Sequence, residues 1–365
     1  MVLLKQMAGG KVTPAPKGAL YTLPGQTLDG HRPPRNAAIH ADSPTPGTST
    51  RRRDPAPRYG AGVLECVINI SEGQRDEIIS SIAGAARHAL LDVHSDAHHN
   101  RSVLTLGGPD DWVEAAARAV AGEAVARLDL RSHSGAHPRI GVLDVVPFVP
   151  LDPDARPGHE SMVEAMTRAT SARNRFASWA ADALALPCFL YGRDAVPPSH
   201  SLPEVRRRAF STLAPDYGPP APHPSAGAVA VGARPVLVAW NLWLDVGGAS
   251  GLALAKRIAG ELRGPGVLTL GLDVGGQAQV SCNLVDPQAV GPGAVFDAAA
   301  ARLAASEAGR EGIGIERCEL VGLMPAAILH REDPRRWQLL DLDPSRTIEA
   351  RLTRAGLGGG RRRSR

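Results

Sequence analysis

Residues 131–150 read RSHSGAHPRIGVLDVVPFVP, and the fold turns on how this stretch is understood. Positions 132–139 are turn formers and polar residues, which predict a loop. The run at 142–149 is almost wholly apolar and predicts a strand buried on both faces, closed by Pro147 and Pro150. A titratable loop set on the end of a buried strand is how α/β enzymes present catalytic groups. His137 is the catalytic candidate, because an imidazole with a pKa near about 6.5 takes up and returns a proton at neutral pH. Gly135 lets the chain turn tightly before it, Pro138 restricts the backbone after it, and Arg139 offers a planar fork for a carboxylate.

Working outward, residues 63–70 (VLECVINI) predict a second buried strand that runs into a polar turn of Asn69, Ile70, Ser71, Glu72 and Gly73. Ser71 or Gly73 is placed to cap the next helix, in which Ile78, Ile79, Ile82 and Ala86 share a face. A strand at 90–93 is interrupted by the polar segment HSDAHHN at 94–100 and resumes at 102–106. Pro109 and Asp110 open a helix with an apolar stripe at Val113, Ala117, Val120, Ala124 and Leu128. Residues 160–184 are helical, with Met162, Met166, Phe176 and Trp179 on or near one face. A strand at 187–191 and a helix at 202–212 precede a proline-laden loop at 214–226, whose length marks it as functional or a linker. From Ala228 the pattern restarts. It gives a strand at 236–244, a helix marked by Leu254, Ile258 and Leu262, and a hairpin of 267–274 and 278–284 around Gly275 and Gly276. A helix from Pro292, a strand at 318–323 and a short helix at 325–330 follow.

These elements predict an α/β protein of the α+β sandwich type. Two similar subdomains, each a mixed β-sheet covered by helices, flank a ligand cleft. The expected divisions are a disordered extension at 1–61, a first subdomain with the catalytic loop at 62–227, a second at 228–353, and a basic disordered tail at 354–365.

The 365 residues are 43% apolar but only 4% aromatic, so a sizeable core must be built from Val, Leu, Ile and Ala. Residues 1–60 balance to +6 and residues 354–365 to +5. Against a whole-chain charge of +4, that leaves the body between them at −7. An acidic body argues against a nucleic-acid-binding face. No run of 18 apolar residues predicts a membrane span, and the N-terminus is too poor in apolar residues for a signal peptide. Four scattered cysteines without a CxxC read as buried free thiols of a cytoplasmic protein. His94, Asp96, His98 and His99 crowd one segment, but no HxxxH or cysteine partner accompanies them, so no metal is expected. Residues 271–276 carry glycines without a following helix and so make no dinucleotide fingerprint. Glu65, Asp92, Asp144 and Asp245 lie in or at the ends of apolar strands and need partners or solvent; Arg101 and Arg139 are candidates for the pairing.

Several segments together resemble the glutamate formiminotransferase family, the formiminotransferase part of formiminotransferase-cyclodeaminase. They are ECVINISEG (65–73), LLDVHSDAHHNRSV (90–103), HSGAHPRIGVLDVVPFVP (133–150), CFLYG (188–192), DYGPP (216–220), SAGAVAVGARPVLVAWNLWL (225–244), VSCNLVDP (280–287) and LVGLMP (320–325). No part resembles the cyclodeaminase. The resemblance implies transfer of a formimino group from N-formimino-L-glutamate to N5 of tetrahydrofolate, the co-substrate, in histidine breakdown. It also implies two α/β subdomains around a tunnel and a homodimer. The catalytic histidine falls on His137, and the folate-contacting loop on Gly218, Pro219, Pro220, His223, Pro224, Ser225 and Gly227. The family often carries an acid where His94 stands and Glu where Ala136 stands. Further candidates for binding substrate or folate are Asn69, Glu72, His94, Asn100, Arg101, Arg139, Gly141 and Asn283. Two other readings remain: a relative acting on 5-formyltetrahydrofolate, and a non-catalytic folate-binding protein that keeps the fold.

Overall fold

The computed structural model describes residues 62–135, 138–151, 161–192 and 200–357. The expected extension at 1–61 lies outside them. Six strands form one sheet: β1 (Val63–Ile70), β2 (Leu90–Asp96), β3 (Arg101–Pro109), β4 (Leu143–Leu151), β5 (Cys188–Gly192) and β6 (Val229–Ala233), in the order β2-β3-β1-β4-β6-β5. Strands β1 and β4 lie side by side and antiparallel at its centre, with Cys66 opposite Phe148 and Asn69 opposite Val145. Eight of the nine β4 residues are buried, as both faces of a central strand are covered. Pro147 does not end this strand as expected. It sits mid-strand opposite Gly232 of β6.

The helices around this sheet are α1 (Asp76–Gly84), α2 (Asp110–Arg127), α3 (Met162–Leu184) and α4 (Leu202–Arg208). Helices α2 and α3 cover one face, where Ile68, Leu104, Val120, Phe148 and Phe176 form a closed apolar core. Helix α3 starts in a capping box of Ser161 and Glu164, which satisfies its first free amides and leaves Met162 exposed rather than on the buried face. On the opposite face α4 packs over Val145, Phe189, Tyr191 and Ala230. That face, open toward the β2–β3 turn, carries the polar residues of the site, and Ile348 and Leu352 of a later helix cover its far end at Leu91.

The second sheet contains β7 (Val238–Gly247), β8 (Val267–Val274), β9 (Gln277–Leu284) and β10 (Ile315–Val321), in the order β10-β7-β9-β8. One face is covered by α5 (Gly248–Leu262) and α6 (Pro292–Ala305), around buried Trp240, Leu242 and Cys282. Three short helices follow: α7 (Glu307–Arg310), α8 (Ala326–Leu329) and α9 (Ile348–Arg354). A mixed sheet was expected here, but all neighbours among the described strands are antiparallel. Helix α5 carries the chain from β7 to β8, and β9 then slips between them. It does so because Gly275 and Gly276, at φ 63° and 88°, make a tight hairpin that only antiparallel strands can share.

Three boundaries differ from the reading of the sequence. Residues 229–233 join the first sheet, because β6 pairs in parallel with both β4 and β5; the chain changes sheets between Ala233 and Val238, not at 227/228. Strand β2 continues through His94 to Asp96, because alternate residues of an edge strand can be polar; only 97–100 turn. The ordered chain runs past 353, since Leu357 is buried with Leu91, Leu323 and Leu352.

Candidate active site

The 130–142 loop is tied at both ends to the segment 225–228. On entry, the Leu130 amide donates to Ser225 O (2.7 Å). On exit, the Val142 amide donates to Ala226 O (2.9 Å), and the Ala228 amide donates to Ile140 O (2.9 Å). Gly141 lies so close to this segment that a Cβ there would sit 1.9 Å from Ala228 O. From the other side, the Ser71 hydroxyl donates to Gly141 O (2.8 Å) and the Ser71 amide to Val142 O (2.8 Å). Ser71 therefore does not cap α1. The Glu72 carboxylate accepts the Gln74 and Arg75 amides just ahead of that helix instead.

The 225–228 segment is itself a tight turn. His223 and Gly227 exchange backbone hydrogen bonds, and His223 Nδ1 accepts the amides of Ser225 (3.3 Å) and Ala226 (3.0 Å). Its ring proton therefore belongs on Nε2. Gly227 has φ 74°, a conformation costly for other residues, and a Cβ there would meet Ile140 O at 2.4 Å.

His137 and Ala136 lie outside the described residues. Their neighbours are held on the β2–β3 turn. A Cβ on Gly135 would come within 2.4 Å of His99 O, and Arg139 Nη2 donates to that same oxygen (3.1 Å). Asn100, at φ 46°, braces three segments: its Oδ1 accepts the Gly73 amide (2.9 Å), its Nδ2 donates to Ser134 O (2.8 Å), and Nδ2 lies 3.4 Å from His133 Nδ1. Burial first, then the charge of Arg139, push the His133 imidazole down to about 4. It is therefore a neutral hydrogen-bonding group at physiological pH. A polar cavity of about 130 Å³ opens beside it, lined in part by Ser71, Glu72 and Asn100.

The charges of the open face centre on Asp144. Its carboxylate accepts the Ile140 amide (2.7 Å) and pairs with Arg206 of α4. The sequence offered Arg101, Arg139 or solvent; both of these arginines also feel the Asp144 charge. The bulge between Asn69 and Ile70, where β1 meets β4, is the irregularity beside Asp144. Across from this face stands the second sheet: His94 Nε2 lies 3.4 Å from Glu319 Oε1 on β10.

Residues 63–234 match the model of the formiminotransferase domain, N-terminal subdomain. A glutamate formimidoyltransferase from Streptococcus pyogenes serotype M1 is 34% identical over 290 residues, covering 74% of this chain and 91% of the relative. One from Thermoplasma acidophilum is 30% identical over 316 residues, 80% and 98% of the two chains. The chain belongs to the formiminotransferase family. The formimidoyltransferase-cyclodeaminase of Sus scrofa is 35% identical over 295 residues, and the chain spans 51% of that relative's length.

Within this formiminotransferase fold, the candidates divide. Asn100, Arg139 and Gly141 converge on the loop, and Ser225 and Gly227 meet it from the other side. Glu72 faces the cavity, but its oxygens already serve Arg75 and Gln74. Asn69 donates to Val67 O (3.2 Å). Gly218, Pro219, Pro220 and Pro224 are exposed, and Gly218 packs against Leu186 O rather than the loop. Asn283 is exposed on β9, paired in register with Leu268 and Ala239. Sequence reasoning missed Arg206 and Glu319. Arg206 lay in an ordinary basic helix end, and Glu319 in the strand expected at 318–323, where its side chain drew no notice; neither carries a local signal. Among the described residues no group of three His, Cys, Asp or Glu is placed to hold a metal, and no helix is long and apolar enough to cross a membrane.

Proposed function

We propose that this protein transfers a formimino group from N-formimino-L-glutamate to N5 of tetrahydrofolate, giving 5-formiminotetrahydrofolate and L-glutamate. The supporting observation is the anchoring of both ends of the 130–142 loop on residues 225–228. It draws together the histidine-bearing loop and the segment that the resemblance assigns to folate.

Tetrahydrofolate supplies the N5 amine that attacks the formimino carbon. His137 accepts the proton that N5 loses as the new C–N bond forms. His137 then returns that proton to the glutamate nitrogen as the old C–N bond breaks, so glutamate departs as an amine. One imidazole working as base and then acid contributes roughly 10²–10⁴-fold. The 225–228 turn and the Ser71 hydroxyl hold the loop in place, which a proton relay requires, because small displacements of a reacting group cost rate steeply. The neutral His133 orients Asn100 without competing for the proton. The working unit is a homodimer in the cytoplasm.

Purified protein is assayed with formiminoglutamate and tetrahydrofolate. The wild type turns over, and His137→Ala loses roughly 10²–10⁴-fold in kcat while keeping its circular dichroism and melting point. A wild type that binds folate tightly but transfers nothing would be a binding protein, and this reading would fall.

A further inference from the structure

The two sheets meet beside the site. Glu319 of β10 stands on the face of the second sheet that is turned toward β2. Asn241 Nδ2 (3.1 Å) and Trp243 Nε1 (2.9 Å), both from β7, donate to its Oε2. The carboxylate is thereby fixed, and its Oε1 is presented to His94 Nε2 at 3.4 Å. Both side chains are mostly buried, and a pair so placed is screened far less than one at the surface. A second contact lies at the tip of the β8–β9 hairpin. A Cβ on Gly275 would come within 2.6 Å of His98 Cε1, so the bare glycine is where that imidazole rests. The second sheet thus meets β2 and the turn after it at two points.

The same turn braces the 130–142 loop. Asp96, two residues beyond His94 on the same strand, accepts the His98 and His99 amides (2.8 Å each) and lies 3.2 Å from His99 Nδ1. The turn so formed offers His99 O to Arg139 Nη2 (3.1 Å) and Asn100 Nδ2 to Ser134 O (2.8 Å). It is also pressed on the end of β1. A Cβ on Gly73 would sit 2.2 Å from Asp96 O, and the Gly73 amide donates to Asn100 Oδ1 (2.9 Å). A close-packed turn of this kind transmits displacement instead of absorbing it. We infer that His94 and Glu319 are positioning residues for the transfer: through this pair the second sheet fixes the β2–β3 turn and, through the turn, the residues that flank His137. The inference rests on the formimino-transfer reading for the reaction it serves. A displacement of about 1 Å at a reacting group costs on the order of 10²-fold in rate, so loss of the pair reaches kcat and not substrate binding.

His94→Asp sets two carboxylates against each other across the contact and tests the relay. Hydrogen exchange of the full chain, read by mass spectrometry, needs no turnover. In this variant the peptides covering 130–142 exchange roughly tenfold faster, together with those covering 94–100. In steady-state transfer, kcat falls on the order of 10- to 100-fold while the KM for formiminoglutamate stays within about twofold of wild type. Combining His94→Asp with Glu319→Gln restores both readouts toward wild type, because the new amide keeps an oxygen for Asn241 and Trp243 and donates to the new carboxylate. Should His94→Asp fail to fold, His94→Ala shows the same pattern at smaller size. Faster exchange confined to 90–96 and 315–321, with the loop and kcat unchanged, marks a contact that only stabilises the fold and overturns the inference. A raised KM at unchanged kcat, or a double variant no better than the single, overturns it as well. A protein whose loop loosens in His94→Asp but which transfers nothing keeps the relay and overturns the reaction; a transferase whose loop is indifferent to residue 94 does the reverse.

Discussion

Glu319 shows how a single partly buried group contributes to acid stability. Burial alone would raise its carboxyl, but hydrogen bonds from His94, from Asn241 (3.1 Å) and from Trp243 (2.9 Å) outweigh it and hold the group down at about 2. Its folded pKa is thus depressed below the unfolded value of about 4.3. The stability it contributes is complete above that value and is lost as pH falls toward 2. His133 acts in a higher window. Its folded pKa of about 4 lies below the unfolded value of about 6.5, so the unfolded chain takes the proton first, and stability falls as pH drops between the two. Urea melts at pH 7, 5 and 3 check both. Glu319→Gln is expected to lose about 1–3 kcal/mol at pH 7, with a smaller deficit at pH 3. His133→Gln is expected to flatten the fall between pH 7 and 5. Parallel pH profiles for wild type and both variants would refute the assignment.

At the scale of the element, the exit of the 130–142 loop depends on a backbone contact that no side chain tolerates. A Cβ at Gly141 would sit 1.9 Å from Ala228 O and 2.7 Å from Ala226 O, both rigid backbone atoms. Gly141→Ala is therefore expected to destabilise the fold by roughly 1–3 kcal/mol and to depress transfer at least tenfold, because the loop must leave its anchor. Gly122, inside α2, is the control: a Cβ there meets nothing within 4 Å. Gly122→Ala is expected to stabilise by up to about 1 kcal/mol through helix propensity. Equal effects of the two substitutions in a thermal melt would sink the argument. Much at this scale was legible in the residues. The α2 stripe of Val113, Ala117, Val120 and Ala124 is buried as its period predicts, and the β8–β9 hairpin falls on its two glycines. Pro147 and Met162 were misjudged. A proline is tolerated at the strand centre here, and a capping box turns the first helical residue outward.

In the whole molecule, the two sheets are joined by more than a connecting chain. Helix α9, which follows the second sheet in sequence, packs Ile348 and Leu352 against Leu91 of β2, together with Leu323 and Leu357. Arg351 Nη2 lies 3.3 Å from Asp92 on the same strand, and His94 faces Glu319. Leu352 is buried in this seam, so Leu352→Ala is expected to cost about 2–5 kcal/mol. Denaturant unfolding followed by both tryptophan fluorescence and circular dichroism should shift as one transition. A second transition that moves while the first stays put would show that the sheets unfold independently.

The amino-acid order by itself determined the buried strands at 63–70 and 143–151, the glycine hairpin, most helices and the polar loop bearing His137. Those features follow from hydrophobic period and turn chemistry, which are local. Tertiary structure alone decided the partners: Asp144 with Arg206, His94 with Glu319, and residues 229–233 inside the first sheet. Such pairings depend on which distant backbone edges and buried charges are brought face to face.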